Sequence, residues 1–207
     1  MRTLREIAER YEIIIVDDGS PDRTGIIADK LARTLENVNV IHHEKNLGYG
    51  AALRSGFAAS RFEIVAYSDG DNQFDIEDLK RMLPLLKEFD IVTGYRVNRA
   101  EGMTRQIESK IYNFLVSQVT GLRLYDTDCA LKVFRREVVD SVHPRSSTSF
   151  ACAEIMSHAQ RQGFRIGQVA VKHYPRLHGR ASGTKPIIIL KTIVEMLRYS
   201  VRNHGYS

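Results

Sequence analysis

The chain has 207 residues, 43% hydrophobic and 27% charged; this excludes a disordered tail and a collagen-like fibre and is enough for one α/β domain with a sizeable core. Its net charge of +5 suits an anionic partner such as a nucleotide, a phospholipid surface or nucleic acid, and equally a mildly basic solvated surface. Cys129 and Cys152 have no metal-ligand spacing and read as reduced thiols; no signal peptide is visible and no stretch reaches the roughly 18–20 apolar residues of a membrane span, so the expected location is cytoplasmic.

Short apolar runs alternate with helical patterns. The run 12–16 reads as a buried strand, and 24–35 as a helix with Ile27, Leu31 and Leu35 four apart. Strand 38–41, helix 48–60 and strand 63–68 follow, then helix 76–88 with Leu79, Leu83 and Leu86 inward, strand 90–94, and helix 104–120 with Ile107, Ile111, Phe114 and Leu115 on one face. Beyond residue 121 the pattern is mixed, with strand 130–135, helix 149–162, strand 165–174 and a last helix 186–201 that has Pro186 near its first turn. This alternation, with strands apolar throughout, predicts a mixed, mostly parallel sheet with helices on both faces. Such sheets bind ligands beyond the carboxyl ends of their strands, where Asp17, Asp18, Asp69, Asp71 and Arg96 all fall.

Asp69-Gly70-Asp71 is the most informative motif. Two carboxylates two residues apart at a strand's end can converge on one hard cation, Mg²⁺ or Mn²⁺, that shares substrate phosphates; taken alone, Asp-Gly-Asp is also ordinary turn chemistry. Asp17-Asp18-Gly19-Ser20-Pro21-Asp22 offers a carboxylate to a base N–H or a ribose hydroxyl, or only a turn with Asp22 capping the next helix. Asn46-Leu47-Gly48-Tyr49-Gly50 opens a helix; its glycines let backbone N–H groups meet a phosphate, or allow close packing. The basic loop from Arg176 to Lys185 could clamp a diphosphate or a lipid phosphate.

These motifs, with Thr93-Gly-Tyr-Arg96 and the run Asp126-Thr-Asp-Cys-Ala-Leu-Lys-Val-Phe-Arg135, occur in this order across residues 12 to about 190. The chain resembles family 2 glycosyltransferases of the GT-A (Rossmann-like) fold, and within them the dolichol- and polyprenyl-phosphate mannosyl- or glucosyltransferases. The resemblance implies inverting transfer of a sugar, mannose or glucose, from a GDP- or UDP-linked donor to a lipid phosphate. It implies base recognition by Asp18, with Asp17 supporting the turn and Gly70 in the donor site. A Mg²⁺ or Mn²⁺ cofactor would lie on Asp69 and Asp71 with Gln73 nearby. Arg96 would face the donor sugar or the acceptor phosphate, Asp126 would stand beside the transfer point, and Arg176, Ser182 and Lys185 would bind phosphate. A hydroxyl acceptor would need a carboxylate base, Asp126 or Asp128; the competing readings are such a saccharide or protein hydroxyl and a non-catalytic nucleotide-sugar-binding remnant. A nucleic-acid partner is not expected.

The family pattern starts with a strand bearing a Pro-x-Tyr-Asn-Glu-like motif and a full helix, whereas residues 1–10 read as the tail of that helix. The resemblance therefore implies an absent inner strand, unpaired backbone groups at roughly 1–3 kcal/mol each, weakened nucleotide binding and homodimerisation through open edges. Ala130 stands where relatives often carry Gly. The single domain 1–207 closes with an amphipathic helix, 186–202, whose Lys191, Arg198 and Arg202 suit a membrane interface at the cytoplasmic face, or packing against the domain or a partner chain.

Overall fold

The computed structural model describes residues 2–97, 103–176 and 185–204, with the side chains of 103–108, 203 and 204 outside that description. The chain runs α1 (Arg2–Ile7), β1 (Ile13–Asp17), α2 (Thr24–Thr34), β2 (Val38–His42), α3 (Tyr49–Ala59), β3 (Ile64–Tyr67), α4 (Leu79–Met82), β4 (Ile91–Val97), α5 (Met103–Thr120), β5 (Lys132–Arg135), α6 (Arg136–Ser141), α7 (Phe150–Arg161), β6 (Ile166–Lys172) and α8 (Pro186–His204). The continuous helix expected at 76–88 is instead α4 flanked by 3₁₀ turns at Ile76–Asp78 and Leu83–Lys87. Pro84 is the cause, since it has no N–H and its ring collides with the preceding turn. Leu79 and Leu86 are buried as expected.

The fold is α/β with mixed pairing. β1 and β2 form a parallel pair, and the remaining strands form a second sheet in the order β3-β5-β4-β6. β5 is antiparallel to both its neighbours and β4 is parallel to β6, so two of the four pairings are parallel. The two sheets share no backbone ladder, and β1 and β3 each stand at a sheet edge. Backbone pairing gives the alternation at both edges. Ile13 N donates to Asn37 O and Asp17 O accepts from His43 N, so Ile14 and Val16 point their backbone away from β2. Arg136 N donates to Glu63 O, so Ile64 and Ala66 point away from β5.

Two apolar clusters lie on the four-stranded sheet. One joins Phe57, Val65, Ile91 and Phe134 to Phe150, Ile155, Met156 and Tyr199; the other joins Phe74, Leu79, Met82, Val92, Leu131 and Val171. Neither includes a residue of β1, β2 or α2, and Ile26, Ile27 and Leu31 of α2 are exposed. α3 ties the two parts together: it packs on β1, and Phe57 meets Tyr67 and Phe134 edge-on at 6.1 and 5.6 Å.

Strand direction decides where the chemistry gathers. β3 and β4 end near Asp69 and Arg96. β5 runs the other way, so the turn 126–129 ahead of it lies at the same end; β6 ends there too, ahead of Arg176. Tyr49 at the start of α3 lies within 3.7 Å of Cys152 Sγ, which brings the end of β2 to this rim.

Candidate active site

At the end of β1, Asp17 and Asp18 each meet a histidine. Asp17 pairs in register with His42, and His42 Nδ1 lies 3.0 Å from Asp17 Oδ2 while its Nε2 lies 2.9 Å from Asp29 Oδ1. Asp17 Oδ1 accepts from Ser20 N at 3.1 Å. Bonds from Ser20, then His42, hold the Asp17 carboxyl below its usual range against the cost of burial. His42, bonded to Asp29 and Asp17, is raised. Asp18 Oδ1 takes His43 Nδ1 at 2.6 Å and Leu47 N at 2.8 Å, and Oδ2 takes Gly48 N at 2.8 Å. The glycines of 46–50 thus serve close packing: Leu47 and Gly48 N–H bind Asp18, and Gly50 N donates to Ser147 O at 3.1 Å. A Cβ on Gly48, whose φ is +96°, would stand 2.4 Å from Ser147 O, and one on Gly50 2.0 Å from Ser146 O. Asp22 accepts Thr24 N at 2.9 Å in the turn ahead of α2, while the N-cap position itself is Arg23, so the expected Asp22 cap lies one residue early.

At the end of β3 the Asp-Gly-Asp run forms a turn. Gln73 N donates to Asp71 Oδ1 at 3.1 Å, and Asn72 takes φ +60°, a left-handed conformation asparagine tolerates. Gly70 makes no close approach. Asp71 Oδ2 pairs with Arg176 at 2.6 Å. Asp69 is exposed as a residue, but the inner side of its carboxyl faces protein; this desolvation and the Asp71 charge raise its proton affinity, against a hydrogen bond from Tyr49. Gln73 Nε2 donates to Tyr174 O at 3.1 Å and Gln73 O accepts Tyr174 N at 2.8 Å, so this side chain ties the turn to the segment after β6.

Asp69 and Asp71 fit a hard divalent cation: a pair of close carboxylates, one of them disfavouring its own charge, gains most from a cation between them. Among the described residues no third His, Cys, Asp or Glu joins them, which leaves further positions to phosphate oxygens and water.

Asp126 and Arg96 are brought together. Arg96 Nε and Nη2 meet Asp126 Oδ2 and Oδ1 at 2.6 and 2.9 Å, and both side chains are largely buried. Both Asp126 oxygens are held by this bidentate pair, so the carboxylate with the properties of a base is Asp128. Its burial raises it to about 6, opposed by the Arg96 charge and reinforced by Asp126. Lys185 is exposed at the start of α8, and Ser182 lies outside the described residues.

Several site residues carried no signal of their own in the sequence. Lys132 is 1% exposed and donates to the carbonyls of Thr127 and Cys129. Tyr67 Oη lies 3.0 Å from Cys152 Sγ beneath Asp69. Both cysteines are free and buried, and burial pushes Cys129 up to about 11 and raises Cys152. His42 and His43 were legible in one way: laying the ends of two parallel strands side by side sets the pair His-His against the pair Asp-Asp.

The glycosyl transferase family 2 model matches residues 1–142. The chain belongs to glycosyl transferase family 2. It is 33% identical over 203 residues to the dodecaprenyl-phosphate galacturonate synthase of Rhizobium johnstonii, covering 93% of this chain and 60% of that protein. It is 31% identical over 183 residues to the undecaprenyl-phosphate 4-deoxy-4-formamido-L-arabinose transferase of Pseudomonas fluorescens, covering 86% and 52%. The chain thus spans about half to three-fifths of these relatives' length. Among solved structures, glucosyl-3-phosphoglycerate synthase of Mycobacterium tuberculosis, in complex with Mn²⁺, uridine-diphosphate-glucose and phosphoglyceric acid, superposes with TM-score 0.68 at 19% identity, over 96% of this chain and 72% of that one. The GT-A fold expected from sequence is the fold found.

Proposed function

We propose that this family 2 domain transfers a sugar, with inversion, from a nucleoside-diphosphate sugar to a polyprenyl phosphate. The observation that carries the reading is the convergence of Asp69, Asp71, Asp128, Arg96 and Arg176 at one rim of the sheet, in a chain similar over 93% of its length to a dodecaprenyl-phosphate galacturonate synthase. An acceptor phosphate oxygen bonds to the anomeric carbon as the bond from that carbon to the donor diphosphate breaks, and the nucleoside diphosphate leaves with the electron pair. Mg²⁺ or Mn²⁺ on Asp69 and Asp71, when bound, would supply charge stabilisation for that leaving group; the glucosyl-3-phosphoglycerate synthase neighbour is a complex with Mn²⁺ and UDP-glucose.

The chain's own residues do the rest. Asp18 keeps one lone pair of Oδ2 for a base N–H after accepting Gly48 N, and Asp17 fixes the turn through Ser20. Asp126 orients Arg96, whose Nη1 is left to face the acceptor phosphate. Arg176 and Lys185, with Ser182 between them in sequence, bind phosphate. A phosphate acceptor is already ionised near neutral pH and needs no base. The relatives' names carry galacturonate and an aminoarabinose derivative, so the donor sugar extends beyond mannose and glucose as candidates.

The acceptor reading also rests on α5 and α8. They pack together and expose Ile111, Phe114 and Leu115 beside Ile187, Leu190, Leu197 and Val201. No helix of the described residues is long and apolar enough to cross a membrane, but this surface, with Lys191 and Arg198 exposed on α8, suits lying on a cytoplasmic bilayer face. One observation favours a second reading, transfer to a saccharide or protein hydroxyl: Asp128, near 6, is ionised at neutral pH and is a competent base. Turnover of UDP- and GDP-sugars with Mn²⁺ separates the two. Product on undecaprenyl phosphate but not on oligosaccharide supports the first, the reverse supports the second, and neither acceptor working overturns both.

A further inference from the structure

His43 is the least exposed polar side chain at the end of β2, at 9%, and faces Asp18, which is 17% exposed. Its Nδ1 lies 2.6 Å from Asp18 Oδ1 and its Nε2 lies 2.8 Å from Ser55 Oγ. A carboxylate only accepts, so Nδ1 is the donor to Asp18, and Nε2 shares a second bond with the Ser55 hydroxyl. The connectivity Ser55–His43–Asp18 matches that of an acyl-transfer triad, but the surroundings differ. Ser55 lies inside α3, where backbone N–H groups are bonded along the helix and none is left to hold an oxyanion. The chain of bonds therefore orients rather than reacts, and what it orients is Asp18.

We propose that His43 is a positioning residue of the donor site, anchored by Ser55, which locks the Asp18 carboxylate so that Oδ2 faces the nucleobase. The geometry supports this on both sides of Asp18. Oδ1 is held by His43 and Leu47 N, while Oδ2 has, among the described residues, a single partner in Gly48 N. Without His43, each oxygen keeps one backbone N–H bond, from Leu47 and Gly48, and Oδ1 loses the one side-chain bond that fixes it against α3. The inference rests on the reading that Asp18 contacts the base.

The test is calorimetric titration of UDP and of GDP, with Mn²⁺, into the wild-type chain and into His43→Asn, His43→Gln, His43→Ala, Ser55→Ala and Asp18→Ala. An asparagine amide nitrogen overlays Nδ1 and a glutamine one overlays Nε2. Alanine and glutamine are expected to weaken binding roughly tenfold, as for loss of one charge-assisted hydrogen bond. Asparagine should recover most of that affinity, and Ser55→Ala should lie between. Melting temperatures within a few degrees of wild type keep the result from being one of folding. Equal affinity in all His43 variants, with Asp18→Ala impaired, overturns the proposal alone. Normal affinity in Asp18→Ala, or no binding by wild type, overturns the base-contact reading and the proposal with it. Equal loss in all three His43 variants makes the ring a packing element and overturns the proposal, as does covalent labelling of Ser55 by a fluorophosphonate.

Discussion

At Asp128, burial of a single carboxylate works against the fold. Its carboxyl is raised to about 6 from an ordinary 3.8, chiefly by burial. A raised acid contributes stability that is fully present below the unfolded value and is lost as pH rises through the folded one. Between about pH 4 and 6 the protein therefore loses up to about 3 kcal/mol at this group. Asp128→Asn is expected to melt about 5 °C higher than wild type at pH 8 and at the same temperature near pH 3.5; scanning calorimetry at the two pH values checks it. A lower melting point for the variant at pH 8 would contradict the burial account. The chemistry of Asp17, Asp18, Asp69 and Asp71 was visible in the sequence, because an acidic pair after an apolar run is a local pattern. Which acids are closed off by ion pairs was not, since Asp126 and Arg96 are 30 residues apart and Asp71 and Arg176 are 105 apart.

At the scale of elements, the segment 144–149 joins three helices. Glu195 of α8 accepts Ser147 N, Ser147 Oγ, Thr148 N and Thr148 Oγ1 at 3.0, 2.8, 3.2 and 2.6 Å. Glu154 of α7 accepts Arg145 N and Ser146 N at 2.9 and 2.8 Å, and Arg54 of α3 donates to the carbonyls of Pro144 and Ser146 at 3.1 and 3.0 Å. The carbonyls of Ser146 and Ser147 in turn face Gly50 and Gly48. Gly50→Ala, whose Cβ would stand 2.0 Å from Ser146 O, is expected to cost about 3 kcal/mol, read from urea unfolding; a change under about 0.5 kcal/mol would mean the segment yields freely. For Glu195, burial opposes the charge, but the bonds from Thr148 and Ser147 outweigh it and leave its carboxyl lowered. A lowered acid contributes stability above its unfolded value that is lost as pH falls through the folded one. Glu195→Ala should therefore cost about 2 kcal/mol at pH 7 and flatten the loss of stability below about pH 4.5. Unfolding curves at pH 7 and pH 3 measure both effects.

For the whole molecule, the decisive feature is the division of the strands into two sheets, with β1 and β3 each at an edge. The open edges carry the backbone of Ile14, Val16, Ile64 and Ala66, and Ile64 is 48% exposed. Edges of this kind template pairing with another chain. Self-association that rises with concentration is the expected outcome in sedimentation velocity, and Ile64→Lys should reduce it; a monomer at all concentrations would show that the edges are shielded in solution. The part that holds β1, β2 and α2 contributes to neither apolar cluster. Its attachment depends on α3 and on the Asp18, His43 and Ser55 bonds, so Asp17 and Asp18, proposed for the base end of the donor, sit on the less firmly packed part.

The sequence by itself determined the succession of elements, the acidic turns at strand ends and the family-level fold, because apolar period and turn chemistry are written in neighbouring residues. It also singled out Asp69, Asp71, Arg96, Asp126 and Arg176, which the fold gathers at one rim. Only the tertiary structure decided what each of them faces. The reversal of β5 brings Asp128 and Lys132 to the end where β3 and β4 finish. The parallel register of β1 and β2 sets His42 against Asp17 and brings His43 to Asp18. The Asp126 carboxylate is closed off by Arg96, while burial leaves Asp128 near neutral pH. These outcomes depend on desolvation and on contacts between distant residues, quantities that exist only once the chain has folded.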